Sequence, residues 1–106
     1  MSAESHAIRE DLIAVQLEGP VDLTTVPGIR KRLLGHARKR ESREMHIDLS
    51  RVTLLDTAGV AMLVETWRCL VRRNGVLHLT GLSENARRLL QLARLDQIFR
   101  IEDLAE

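Results

Sequence analysis

Short apolar runs alternate with stretches of helical spacing along the chain, and this alternation restricts the fold more than any other feature. Leu12 to Glu18 (LIAVQLE) alternates apolar and polar residues, as a half-buried strand does, with a candidate edge strand at His6 to Glu10 beside it. Gly19-Pro20 is expected to end that strand. A helix follows, with Thr24 and Thr25 as candidate caps, Pro27 in its first turn and Val26, Ile29, Leu33, Leu34 and Ala37 on one face. Met45 to Leu49 (MHIDL) is a second strand, continued by Val52 to Leu55. The next helix carries Val60, Leu63, Val64, Trp67 and Val71 as an apolar stripe, with Arg72 and Arg73 near its negative end and Asn74-Gly75 as a left-handed cap. Val76 to Thr80 (VLHLT) is a third strand, ended by a turn at Gly81. Ser83 then caps a helix with Ala86, Leu89, Leu90 and Ala93 inward. Ile98 to Ile101 is short and β-like, and the acidic tail from Glu102 to Glu106 is expected to add a turn of helix. Strands that alternate with helices need crossover connections, so the residues predict an α/β fold with a largely parallel sheet covered by helices.

At 106 residues the chain supports one core and a single domain over residues 1–106. A formal net charge of +1 argues against nucleic acid as a partner, and with Trp67 and Phe99 as the only aromatics there are no stacking platforms for single strands. The basic residues Arg30, Lys31, Arg32, Arg38, Lys39, Arg40 and Arg43 spread over a wide helical arc and read as a solvated face. The lone Cys69 cannot form an internal disulfide, which fits a reducing compartment. No apolar run approaches the roughly 18 residues of a membrane span, and the N-terminus lacks an apolar signal core. A cytoplasmic protein without membrane insertion is expected.

Enzymatic signatures are missing. There is no GxSxG elbow, no GxxxxGK loop, no CxxC and no HExxH. His6, His36, His46 and His78 have no metal-ligand spacing along the chain, so no metal site and no cofactor is expected. Asp48 as a receiver-type phosphoacceptor lacks a suitably placed lysine, since Lys31 and Lys39 both fall in the first helix.

What remains is Leu54 to Leu63 (LLDTAGVAML), where strand gives way to helix. An Asp or Thr ahead of an apolar helix is usually a cap. That explains Asp56 or Thr57 but not both, and it leaves Gly59 unexplained. Glycine in a first turn costs about 1 kcal/mol against alanine, so a close approach to the backbone is expected there. A phosphate on Thr57 would meet the helix dipole and open amides, and would add about two negative charges beside Asp56.

The stretch Ile47 to Arg68 (IDLSRVTLLDTAGVAMLVETWR) resembles the signature of STAS domains, the family of bacterial anti-sigma factor antagonists. The family pattern, a strand ending D-L-S and then D-S-S-G-L opening a helix, is matched by Asp48-Leu49-Ser50 and by Asp56-Thr57-Ala58-Gly59-Val60. Gly19 to Leu33 and Gly75 to Ile101 are similar to the family's first loop and helix and to its last third, so the resemblance covers nearly the whole chain. It implies a four- to five-stranded mixed sheet with about four helices packed largely on one side. It also implies a partner switch, in which a serine/threonine-kinase anti-sigma factor phosphorylates the hydroxyl residue after the motif acid and a PP2C-like phosphatase reverses this. By position Thr57 matches the phosphoacceptor, with Asp22, Asp56, Ala58 and Gly59 expected at the partner surface. Thr57 replaces the commoner serine, Ala58 a second hydroxyl, and Pro20 stands where an acid is frequent. An alternative within the same family is the STAS subunit of a lipid-transport ABC complex, where the threonine contacts the ATPase; a stressosome-like scaffold is a third.

Overall fold

The alternation of apolar and polar residues is realised as a five-stranded sheet carrying α-helices. The computed structural model describes residues 2–9, 12–39 and 43–102. In chain order the elements are β1 (Ser2–Arg9), β2 (Leu12–Val21), α1 (Val26–Ala37), β3 (Glu44–Leu55), α2 (Thr57–Val71), β4 (Val76–Thr80), α3 (Glu84–Leu92), a 3-10 turn at Leu95–Gln97, and β5 (Arg100–Glu102). Spatial order follows chain order. Strand β1 is antiparallel to β2, and β2, β3, β4 and β5 are parallel to one another. Each parallel step needs a crossover, which α1, α2 and then α3 with its 3-10 turn supply. The mixed five-stranded sheet is the one expected. Where about four helices were expected, the described residues hold three, because the segment after α3 closes only one 3-10 turn. The expected edge strand begins earlier, at Ser2, and Glu10 lies outside the described residues. In the tail, Glu102 ends a strand instead of starting a helix, and residues 103–106 lie outside the described residues.

Along the central strands every second residue is buried: Ile13, Val15 and Leu17 on β2, Met45, Ile47 and Leu49 on β3, Leu77 and Leu79 on β4. They join Ile29, Leu33 and Ala37 of α1, Met62, Leu63 and Leu70 of α2, and Leu90 of α3 in one core. Burial of each Val, Leu, Ile or Met side chain is worth about 1.5–3 kcal/mol before entropy is counted, which makes this shared core the main support of the fold. The buried face of α2 is rotated from the expected stripe. Met62, Thr66 and Leu70 face inward and Val71 is exposed, because apolar residues surround this helix and spacing alone could not choose a side. Buried Thr66 is satisfied by donating to the Met62 carbonyl at 2.9 Å. At the C-terminal end of α2 the left-handed residue is Asn74, with φ 61°.

Pro20 does not end β2. The strand runs on to Val21, and β3 takes up extra residues where the pairing shifts, between Gln16 and Glu18 and again between Gly19 and Pro20. A proline is tolerated at such an irregularity because no ladder amide is demanded of it. The Asp48-Leu49-Ser50 motif sits at the first shift. Asp48 Oδ1 accepts from the Ser50 amide at 2.9 Å, and Asp48 Oδ2 from Gln16 Nε2 at 3.3 Å. Gly81, at φ 72°, lies against Ser50 so closely that a Cβ would stand 2.6 Å from its amide nitrogen. The motif acid therefore shapes the backbone at this irregularity.

Candidate functional site

The C-terminal ends of parallel strands bring loops from distant parts of a sequence together. Here β2 and β3 finish side by side. Val21 is in register with Leu55, and the Asp56 amide donates to the Val21 carbonyl at 3.2 Å. Asp22 and the Asp56-Thr57 pair consequently leave the sheet next to one another.

Asp22 organises the turn into α1. Its Oδ1 accepts from the Thr24 hydroxyl at 2.7 Å and from the Thr24 and Thr25 amides at 3.0 and 3.2 Å. The Thr25 hydroxyl accepts from the Asp22 amide and donates to the Pro20 carbonyl, each at 2.9 Å. The Thr24 hydroxyl holds the Asp22 carboxyl below the usual carboxylate range, helped by the two amides and opposed by partial desolvation. Thr24 and Thr25 were candidate caps, yet neither caps α1 through its side chain: the Thr24 and Thr25 amides are met by the Asp22 carboxylate, and Thr25 precedes α1 without a side-chain capping bond. The acid shapes the loop while remaining partly exposed.

Asp56 and Thr57 have separate positions. Asp56 is the residue that caps α2, in extended geometry, with Oδ1 accepting from the Gly59 amide at 3.1 Å. Thr57 is the first helical residue and is exposed, and no hydrogen bond to its hydroxyl is made among the described residues. Ala58 is half-buried. Gly59 differs from expectation. It is buried, and a Cβ there would stand 2.6 Å from Leu55 Cδ1, 2.9 Å from Val21 Cγ1 and 3.0 Å from the Val21 carbonyl oxygen. The close approach is real, but it is made by the chain's own β2 end, so Gly59 lies beneath the surface and is not part of it.

Two residues beside these were not singled out from sequence. Leu23 is 76% exposed and Leu54 is 53% exposed, one after Asp22 and the other two residues before Asp56. Read along the chain, Leu54 looks like strand core; only the shift in pairing at the end of β3 turns it outward. A cleft of about 220 Å³, lined in part by Leu54, Leu55, Leu82 and Asn85, opens between the end of β3 and the start of α3. The basic residues Arg32, Arg38, Lys39 and Arg43 are exposed, while Arg30 pairs with Glu65 on α2. Cys69 is half-buried against the core. Away from the Thr57 end, Glu44, His46 and His78 come together, a grouping that spacing along the chain did not signal because it forms across two strands. No helix among the described residues is long and apolar enough to cross a membrane.

Comparison with known proteins agrees with this frame. The STAS domain model matches residues 5–105. An anti-sigma-B factor antagonist of Staphylococcus epidermidis is 26% identical over 97 residues, which cover 92% of this chain and 89% of the relative. Among solved structures, the Bacillus cell fate determinant SpoIIAA in its phosphorylated form superposes with a TM-score of 0.81 at 19% identity, over 99% of this chain and 93% of that one. An anti-sigma factor antagonist from Mycobacterium paratuberculosis gives 0.78 at 24% identity, over 94% and 85%. With a family model spanning almost its full length and a sheet and helix order to match, the chain belongs to the STAS domain family.

Proposed function

We propose that this chain is an anti-sigma factor antagonist working in the cytoplasm as a phosphorylation-controlled partner switch. It binds a serine/threonine-kinase anti-sigma factor and is released when that kinase transfers the γ-phosphoryl group of ATP to Thr57 Oγ1; a PP2C-like phosphatase hydrolyses the ester and restores binding. In this reading the chain is a substrate and a ligand, not an enzyme, and it needs no cofactor.

One observation carries the proposal. The helix is capped by Asp56, so the exposed Thr57 hydroxyl has no structural duty and is accessible to a kinase. A phosphate there would meet the amides at the open start of α2 and the positive end of its dipole. It would also bring about two negative charges next to Asp56 and Asp22. Leu23 and Leu54 support the reading from another side, since exposed apolar residues flanking a charged rim are what a protein partner covers. Phosphorylation therefore alters a mixed apolar and acidic surface without needing to move the core. Asp22, Asp56 and Ala58 belong to that surface in this reading, while Gly59 supports it from below.

The test incubates the purified chain with its cognate kinase and ATP, then measures intact mass and complex formation. The expected result is a single phosphate on Thr57 and loss of the complex, with Thr57→Ala remaining bound in ATP. A complex that survives full phosphorylation of Thr57 would defeat the switch. A chain that no kinase modifies, but that copurifies with an ABC ATPase through Thr57, would move the assignment to a transport-complex subunit.

A further inference from the structure

The start of β3 carries a second group of chemically capable side chains. Glu44 and His46 are two residues apart on one strand, so they project from the same face. His78 is the register partner of His46 across the parallel β3–β4 pair. A single oxygen, Glu44 Oε1, lies 3.3 Å from His46 Nε2 and 3.5 Å from His78 Nε2. One donor atom from each of the three residues falls within 4.8 Å of the other two. The two imidazoles lie against each other, with centroids 4.1 Å apart and planes inclined by 35°.

From this arrangement we infer that Glu44, His46 and His78 form a site for one divalent transition-metal ion of the zinc type. Bonds of roughly 2.0–2.2 Å at tetrahedral angles place neighbouring donor atoms about 3.4 Å apart. Both Glu–His separations already have that value. The imidazole pair has to close by no more than about 1.4 Å from its 4.8 Å limit and to turn out of its stacked arrangement, so that both in-plane lone pairs converge on one ion, a change of side-chain torsions. Two imidazoles and one carboxylate suit zinc, copper or nickel, and one carboxylate is too few oxygens for calcium or magnesium. The side chains are accessible, with His78 18%, Glu44 34% and His46 36% exposed, so an ion reaches them from solvent and keeps a coordination position for water. Arg87, Arg100 and Asp96 line the groove beside His78, and with three protein ligands the site binds more weakly than a closed, four-ligand structural zinc site. Bound there, the metal clamps β3 to β4 at the end of the sheet remote from Thr57, and links metal supply to the stability of the domain.

The experiment titrates the full chain with Zn²⁺ by calorimetry and with Co²⁺ as a spectroscopic probe. The expected result is one ion per chain, and visible cobalt bands of the intensity that marks four-coordination. His46→Ala and His78→Ala should each weaken Zn²⁺ binding roughly tenfold or more, while Cys69→Ser and His36→Ala leave it unchanged and Mg²⁺ does not compete. Because a β3 or β4 variant could unfold, the unmutated chain is also followed by amide NMR during zinc addition. Shifts should centre on Glu44 to His46 and Leu77 to Leu79. No uptake of zinc or cobalt, binding that persists at full strength in both histidine variants, or shifts centred on Cys69, His36 or the N-terminal residues would overturn the site.

Discussion

Asp56 and Thr57 are adjacent, yet only Asp56 caps the helix, while Thr57 is exposed beside it. The Asp56 carboxylate satisfies the Gly59 amide, so Asp56→Ala should cost about 1 kcal/mol, within the 0.5–2 kcal/mol range of lost caps. Thr57→Ala removes no such bond and should change stability by less than about 0.5 kcal/mol. Urea unfolding of the two variants beside the unmutated chain measures the difference. Equal losses would show that Thr57 shares the capping. Gly59 makes a contrasting case. A side chain there meets Leu55, which can turn away, and the Val21 carbonyl, which cannot turn without disturbing the Asp56 amide it accepts from. Gly59→Ala gains about 1 kcal/mol of helix propensity but overpacks at a cost of typically 1–3 kcal/mol, so a net loss is expected in the same assay. A more stable variant would mean that the β2 end yields easily.

At the scale of elements, what could be read from sequence follows how local each signal is. The strands at Leu12, Met45 and Val76 and the inward face of α1 were legible because period-two and helical spacing are contained in a few residues. Ser83 as the cap of α3 was legible for the same reason, and its hydroxyl does accept from the Ala86 amide at 3.1 Å. The continuation of β2 through Pro20 was not, since it depends on extra residues in a neighbouring strand. Nor was the pairing of α1 with α2. Arg30 Nε and Nη2 donate to Glu65 Oε1 and Oε2 at 2.7 and 2.5 Å, joining helices from different thirds of the chain. This bidentate bond from Arg30 draws the Glu65 carboxyl below its usual range, against a smaller desolvation effect. A depressed folded value means that the pair stabilises the domain above the unfolded glutamate range and that this support is lost as pH falls through the folded value. Glu65→Gln should therefore be somewhat less stable than the unmutated chain at neutral pH, and the gap should narrow on acidification and in high salt. A gap independent of both would show that the side chain acts through packing alone.

At the scale of the molecule, the topology explains why the Asp22 loop and the Asp56-Thr57 pair leave the sheet side by side although they are far apart in the sequence. Two adjacent parallel strands must end at the same edge of the sheet, so the loops that follow them are neighbours. The closeness of these two loops is thus a product of the crossover and would not arise in a hairpin of the same strands. The same topology puts the Glu44, His46 and His78 group at the opposite end of the sheet, where the strands begin. Modification at one end should therefore leave the other undisturbed. In the proposed switch, a phosphate on Thr57 would add charge at an exposed position outside the core, and the positive helix end would offset part of its repulsion from Asp56. The phosphorylated chain should keep the thermal midpoint of the unmodified one to within about 4 °C, corresponding to less than about 1 kcal/mol for a domain of this size. Amide NMR of the two forms, prepared with the kinase and checked by intact mass, should show shifts confined to the loop after β2 and the first turns of α1 and α2. Shifts that reach β4 and β5 would mean that the switch acts through a change in the whole fold and not through the charge and shape of one edge.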